Sequence, residues 1–570
     1  MKTRKYLCSM ILGVCLLLTG CSDFLDSTDN SHISGDTFYQ SEEDCQAATA
    51  PLYSKVWFHF NDKFYYGMGD GRGYNLRAPY SNYIYPFTDL NESGLTSALV
   101  QAWESFYIVV QQSNKIINGI KKGTINEGVK SRYIGEARFM RGVAYYYLAM
   151  LWGNVILNEN ADELVDNPII SPSPTKDVFE FAMRDLEYAA KYLPETSYAA
   201  GRVNKYSAFA MLSRVYLTYA GYSDNPNSGT RNNDYLELAK KAALKVIENK
   251  NFGLMQNYAD LFKIENNNNS ESLFALQWVP KSDVYGEANT IQNYFAYGSD
   301  VTGTDKSWGG ATVAQPNVIW EYSPQDKRRK ATWMAYGDFY PELMSDKGGL
   351  NVEYSETQLN CKKYVCGSNK DNSLITNGNT PINTYMIRLA EVYLNYAEAC
   401  FGTNLTLTAN KSGDIANDPK VIVTLGANAT CTDTKALEYY NEVRERAGLT
   451  ALKNSFTFDD LRRDRRLELC LEGQYWYDMV RWAYFQQQSI INYITGQMRD
   501  TNIPVLWDSV SQNLSIDNSK DATKRSVGNV QASIFLLPYP ESETVQNPLL
   551  KNAPVPYSFT EDRITDLFNQ

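Results

Sequence analysis

The densest group of reactive side chains in the chain is RRDRRLELCLEGQYWYDMVRW, residues 462–482. Glu468, Glu472 and Asp478 stand there among Arg465, Arg466 and Arg481. Two carboxylates flanking a glycosidic bond are the machinery of glycoside hydrolysis. Glu468 and Glu472, however, are i, i+4 neighbours on a predicted helix, and the arginines around them keep both ionised. A general acid needs the opposite environment. The cluster is therefore predicted to be a charge network that fixes helix packing. Glu136 with Arg138 and Arg141, and Glu391 and Glu398 near Arg388, read as buried pairs of the same kind. Removing one partner of such a pair strands a charge, at a cost of about 3–5 kcal/mol.

Other reactive chemistry is sparse. His32 and His59 are the only histidines, which leaves little for histidine acid–base catalysis or a histidine-rich metal site. GDGRGYN, residues 69–75, has the glycines of a phosphate cradle but neither the lysine nor the following apolar helix. A binding loop fits it better, with Asp70 and Arg72 offering hydrogen bonds and Tyr74 a ring. Asp300 and Asp305 carry hard oxygen ligands, but their spacing is not that of a calcium loop, and a solvated acidic loop is expected. Neither a metal nor a cofactor is expected.

The abundant resource is aromatic. The chain holds 42 tyrosines and 10 tryptophans, and an exposed ring with neighbouring Asn, Asp or Arg can stack on a sugar and bond its hydroxyls. Most of these rings must fill half-buried helix positions. The ligand-contacting candidates are Tyr65, Tyr66 and Tyr74, with Asp70 and Arg72, in the loop at 64–87, and Tyr285, Tyr294, Tyr297 and Trp308 further on. Trp103, Tyr145 and Trp476 lie on helix faces and are assigned to the core.

Helices are expected to position these loops. Apolar residues at a 3.6 period mark Leu99–Lys122, Thr175–Leu193, Asn204–Tyr222, Tyr235–Asn249, Tyr385–Cys400, Thr434–Gly448 and Asp459–Trp482. Tyr133–Trp152 is apolar on several sides and reads as a buried helix. A further helix is expected near Ser41–Phe58, and Pro and Gly exclude a continuous one over 64–87. The spacing suggests a mainly α fold of tetratricopeptide-like helical hairpins, with a few short strands. The scaffold spans about 95–250 and 384–485. A loop-rich insertion at about 251–383 interrupts it, with one alternating strand at Ser272–Trp278. Long irregular segments on a rigid scaffold are where binding tends to sit. After Trp482 the helical period is lost, and 486–570 reads as irregular.

The chain start carries its own message. Lys2, Arg4 and Lys5 precede an apolar run, Leu7–Leu18, too short to span a bilayer. It ends in LTGC, which looks like a lipobox: residues 1–20 form a signal peptide, Cys21 takes the lipid, and 21–33 is a polar tether. With 44% hydrophobic and 21% charged residues the rest is globular. A net charge of −11 without a basic stripe argues against nucleic acid. Six scattered cysteines follow Cys21, and Cys361 and Cys366 could bridge or stay free.

Several blocks, taken together, carry a resemblance. GEARFMRGVAYYYLAMLWGNVIL, GRVNKYSAFAMLSRVYL, ESLFALQW, IRLAEVYLNYAEA, YYNEVRERAGL, the 462–482 helix and the ending PYPESETVQNPLLKNAP occur in this order behind the lipobox. In that order they resemble the SusD/RagB family of outer-membrane nutrient-binding lipoproteins. The resemblance spans nearly all of 34–570. Gln474-Tyr475, where His-Arg is usual, and Asn154, where Asp is common, depart from it. It implies a non-enzymatic glycan- or oligosaccharide-binding protein, lipid-anchored on the outer membrane and facing outward. It also implies delivery of the nutrient to a SusC-like TonB-dependent transporter. A peptide ligand, or a glycoside hydrolase using carboxylates of the insertion, are the alternatives.

Overall fold

A computed structural model describes residues 38–160, 168–411, 423–427, 429–499, 504–517, 519–520, 527–564 and 566–568. The signal peptide, Cys21 and the tether lie outside the described residues.

The chain enters the scaffold through α1, Glu42–Thr49, whose start is a capping box of Ser41 and Asp44. The helix expected to continue to Phe58 breaks up instead. Pro51 has no amide hydrogen to donate, and the chain tightens into 3-10 turns at Ala50–Tyr53 and Lys55–Trp57. Wide π turns follow at Phe60–Phe64 and Gly67–Gly71, so helical backbone reaches further into the glycine-rich loop than its composition predicts.

The scaffold helices are α2 (Ser97–Lys122), α3 (Glu127–Trp152), α4 (Thr175–Tyr192), α5 (Lys205–Gly221) and α6 (Asn233–Ile247). Each packs on the next. Only 123–126 separate α2 from α3, which makes them an antiparallel hairpin. From Tyr133 to Trp152 every residue of α3 is buried, as expected of a helix apolar on several sides. Trp103, Tyr145 and Trp476 are core residues, also as expected.

The array resumes after the insertion. Helix α7 (Leu389–Ala399) packs against α6 and α5, and α8 (Thr434–Arg446) against α7. The insertion therefore leaves and rejoins the array at one place. Its neck is an antiparallel pair in which Ser272–Leu276 meets Thr384–Arg388. Residues 385–388, expected to be helical, are the returning strand.

The expected single helix Asp459–Trp482 is two. Helix α9 (Phe458–Glu468) and α10 (Tyr475–Thr495) are separated by a turn in which Leu471 and Gly473 have φ of 64° and 67°. Helix α10 runs on past Trp482, kinked at Gln486. The expected loss of helical period there is wrong, because Tyr484, Phe485, Ile490, Ile491, Tyr493 and Ile494 keep an apolar face packed on the core.

The insertion carries order that its composition hides. A four-stranded sheet runs Leu76–Arg77, Val313–Ala314, Asn360–Cys361, Trp333–Met334. Its first strand comes from the glycine-rich loop, and the Gln315 amide donates to Asn75 O at 2.9 Å. This sheet brings the first loop and the insertion together.

Candidate functional site

Two chain segments meet around Lys63. The π turn places its ammonium 5.2 Å from the ring centroid of Tyr83 and 5.3 Å from that of Tyr294, the first from the loop after the turn, the second from the insertion. Lys63 is ion-paired with Asp62, and Thr290 Oγ1 donates to Asp62 Oδ1 at 2.6 Å. Burial opposes the charge on Lys63, but the Asp62 carboxylate outweighs it and raises the lysine above its ordinary range.

Exposed rings surround this bracket. Tyr285 packs edge-on against Phe58 with centroids 4.7 Å apart, beside His59, yet is 69% exposed. Trp308 is 58% exposed. Its amide donates to Asn293 O and its carbonyl accepts from Ala311 N, so its backbone is fixed although its ring is free. Tyr80 and Tyr83 are 58% and 51% exposed. Gly310, with φ of 69°, lies under Tyr80: a Cβ there would sit 3.1 Å from the Tyr80 hydroxyl. Thr312 Oγ1 donates to Tyr294 O at 2.8 Å, and Tyr297 stacks on Tyr354. Hydrogen-bonding groups line the edge. Asp283 accepts from Asn377 at 2.7 Å, Lys306 at 3.1 Å and Asn379 at 3.2 Å, and Asn377 and then Lys306 hold its carboxyl below the ordinary range.

Four of the nine sequence candidates, Tyr285, Tyr294, Tyr297 and Trp308, thus stand on or at the border of one surface. The other five do not. Tyr65 is buried and donates to Tyr385 O at 2.7 Å. Tyr66 is buried against Phe295. The Tyr74 hydroxyl is spent on the backbone of Met498, and Arg466 donates to the Tyr74 carbonyl. Arg72 is buried, paired with Glu92 and 4.4 Å above the Trp476 ring. Asp70 is fully buried. Its carboxylate accepts from Asn75 Nδ2 and from the amides of Leu471 and Gly473, all within 2.9 Å. Burial pushes its carboxyl up to about 6 despite these bonds.

GDGRGYN is therefore a clasp, not a binding loop: Asp70 supplies the acceptors that the break between α9 and α10 leaves missing. Gly69 packs so closely on Gly473 that a Cβ would overlap its backbone. Composition gave the wrong five because Tyr65 and Tyr66 sit in FYYGMG beside Phe64 and Met68, an apolar context. The rings passed over, Tyr80 and Tyr83, sit in PYSNYIYP, where Pro, Ser and Asn mark a surface turn. Asp62 and Lys63 carried no sequence signal beyond adjacency.

The carboxylates that invite a catalytic reading are buried in ion pairs. Arg388 bridges Glu271, Glu468 and Glu472, and Arg446 and Lys363 complete the network. Burial opposes ionisation of Glu468, yet Arg446, Arg388 and Arg328 hold it down at about 2. Arg465 and Arg481 pair with Asp478. The partners of the other pairs differ from the sequence neighbours: Glu136 pairs with Arg202, Glu391 with Arg214 and Arg465, Glu398 with Arg481, and Arg141 with Asp185. Among the described residues no group of three or more His, Cys, Asp or Glu could hold a metal ion, and Asp300 and Asp305 are exposed. Cys361 and Cys366 are free thiols.

Two family models match the chain: the SusD family over residues 218–555, and a family described as starch-binding, associating with outer membrane, over residues 77–217. A SusD-like protein of Bacteroides ovatus is 37% identical, covering 97% of this chain and 98% of its own. A crystal structure with xylogluco-oligosaccharide superposes with a TM-score of 0.78 at 37% identity, covering 91% of this chain and 100% of that one. A laminarin binding SusD-like protein shares the fold, with a TM-score of 0.64 at 20% identity over 89% of this chain and 98% of that one.

Proposed function

From the premise that the chain belongs to the SusD family, we propose that it is a glycan-binding protein of the outer membrane. Tyr80, Tyr83, Tyr285, Tyr294 and Trp308 form the platform on which an oligosaccharide stacks. The convergence around Lys63 of rings from two chain segments, the exposed Tyr83 and the half-buried Tyr294, carries this reading. Sugar rings present apolar C–H faces to aromatic faces, and Asp283, Lys306, Asn377 and Asn379 offer polar contacts at the rim. No chemistry is needed. A buried carboxylate held ionised is a poor proton donor, so the protein acts by binding alone.

Cys21 carries the lipid that anchors the chain, and the captured glycan passes to a SusC-like TonB-dependent transporter. The relative that holds xylogluco-oligosaccharide supports that ligand as the first to try. Calorimetric titration with it, and affinity electrophoresis through laminarin, starch and xyloglucan gels, test the reading. The wild-type protein binds at least one of these glycans, and the Tyr285→Ala, Trp308→Ala double variant, folded by circular dichroism, does not. Equal binding by that variant refutes the platform. Fatty-acid labelling that survives in Cys21→Ala refutes the anchor, and failure to recover a transporter from detergent-solubilised membranes with the tagged protein counts against delivery.

A further inference from the structure

We infer that the platform selects uncharged glycans and rejects those bearing carboxylates or sulfates, an inference that rests on the glycan-binding reading above. The rings come from two segments, 79–87 and 281–308, and a third, 55–63, supplies Lys63 and the Phe58 and His59 that pack on Tyr285. None of the three contains an arginine. Arginine is the side chain whose planar fork fits a carboxylate or sulfate with two parallel bonds, and sites that read such groups rely on it. In the whole insertion the only arginines are Arg328 and Arg329. Both are buried, Arg328 on Asp326 and Asp464, Arg329 on Asp338.

The cations present are lysines, and two of the four are already committed to carboxylates. Lys63 is bound to Asp62 and flanked by two tyrosine faces, and Lys306 is held by Asp283. Lys55 and Lys281 are the others on these segments. Against these four stand Asp62, Asp283, Glu287, Asp300 and Asp305. The local balance is thus slightly acidic, on a chain whose net charge is −11. A uronate or sulfate laid on the rings meets carboxylates without a free guanidinium to offset them, and like-charge juxtaposition is costly. A neutral sugar meets no such opposition, because hydroxyls donate to Asp283 and accept from Asn377 and Asn379 equally well.

The test uses one polysaccharide in two charge states. The neutral glycan that the protein binds is compared with the same preparation after partial oxidation of its primary hydroxyls to carboxylates. Affinity electrophoresis and calorimetry are run on the full chain at low and at high salt. The expected result is at least about tenfold weaker binding of the oxidised form at low salt, with the gap narrowing as salt screens the repulsion. Equal or tighter binding of the oxidised form at low salt, weakening as salt is added, overturns the inference and leaves the glycan-binding reading intact. Binding of neither form, by a folded protein and across the neutral panel, overturns the glycan-binding reading itself, and this inference with it.

Discussion

Lys63→Met is the sharpest probe of the platform. Methionine keeps most of the apolar stem and removes the ammonium that sits 5.2 Å and 5.3 Å from the rings of Tyr83 and Tyr294. A cation over an aromatic face contributes about 0.5–1 kcal/mol at exposed sites. Two such contacts give about 1–2 kcal/mol of restraint on rings that belong to different chain segments. If this restraint presets the platform, its loss appears as ligand affinity lower by about five- to thirty-fold. Asp62 is left without its cation, so Asp62→Asn in the same background recovers part of the loss, and the two substitutions are non-additive. Calorimetric titration of the four proteins of this cycle with the best-bound glycan is the assay, with circular dichroism as the control for folding. Binding by Lys63→Met within twofold of wild type, or strict additivity with Asp62→Asn, refutes the argument that the bracket orders the rings.

The remaining expectations concern the scaffold and single rings. Tyr285→Ala or Trp308→Ala alone lowers glycan affinity by about 1–2 kcal/mol while leaving the melting temperature unchanged, since both rings are mainly solvent-exposed; thermal melts and titration separate the two effects. Arg388→Met removes the cation shared by Glu271, Glu468 and Glu472 and destabilises the fold by about 3–5 kcal/mol, measured by urea unfolding. Glu468 is held near 2 in the folded chain against an ordinary value of 4.5, so its contribution is present above about pH 4.5 and lost as pH falls toward 2. Unfolding titrations across that window show stability falling with acid, and a flat profile contradicts the assignment. Gly69→Ala forces a Cβ into the Gly473 backbone and costs about 1–3 kcal/mol in stability.

The helical array was legible because amphipathic spacing is local: from α2 to α6 the expected and observed spans agree within two residues at each end, except that α3 starts at Glu127, six residues before the expected Tyr133. What failed was decided over long sequence distances. The break between α9 and α10 is held by the Asp70 carboxylate about 400 residues away, and its one local signal is Gly473, whose φ of 67° suits a glycine. The strand at 384–388 reads as helix because its apolar run continues into α7 without punctuation, and only Ser272–Leu276 makes it a strand. In the site, the insertion rings were legible as aromatics set among Gly, Asn and Asp. The first-loop candidates were not, since burial of Tyr65, Tyr66 and Tyr74 follows from packing against 295, 385 and 498. The bracket of Asp62 and Lys63 was equally silent, because a lysine beside an aspartate is ordinary on any surface.

The neck at Ser272–Leu276 and Thr384–Arg388 bears on how such a molecule can diversify. Its two strands leave and return side by side, so in chain connectivity the excursion between them is a cartridge hung on one neck, although its Arg328 and Lys363 pair with α9 and the turn that follows it. Closing a longer or shorter loop across a fixed base changes the entropy only logarithmically. Exchange is constrained in two respects, the first being the buried pairs that Glu321, Arg328 and Lys363 of the excursion make with α9 and the turn after it. Second, Leu76–Arg77 pairs with Val313–Ala314, so a transplanted cartridge that arrives without its matching first loop exposes an unpaired strand edge and separates Lys63 from Tyr294. New ligand preferences are therefore acquired by changing both pieces in step while keeping Glu321, Arg328 and Lys363, and chimaeras cut at the neck alone lose the ring platform and, where these three are replaced, the buried partners of α9 as well.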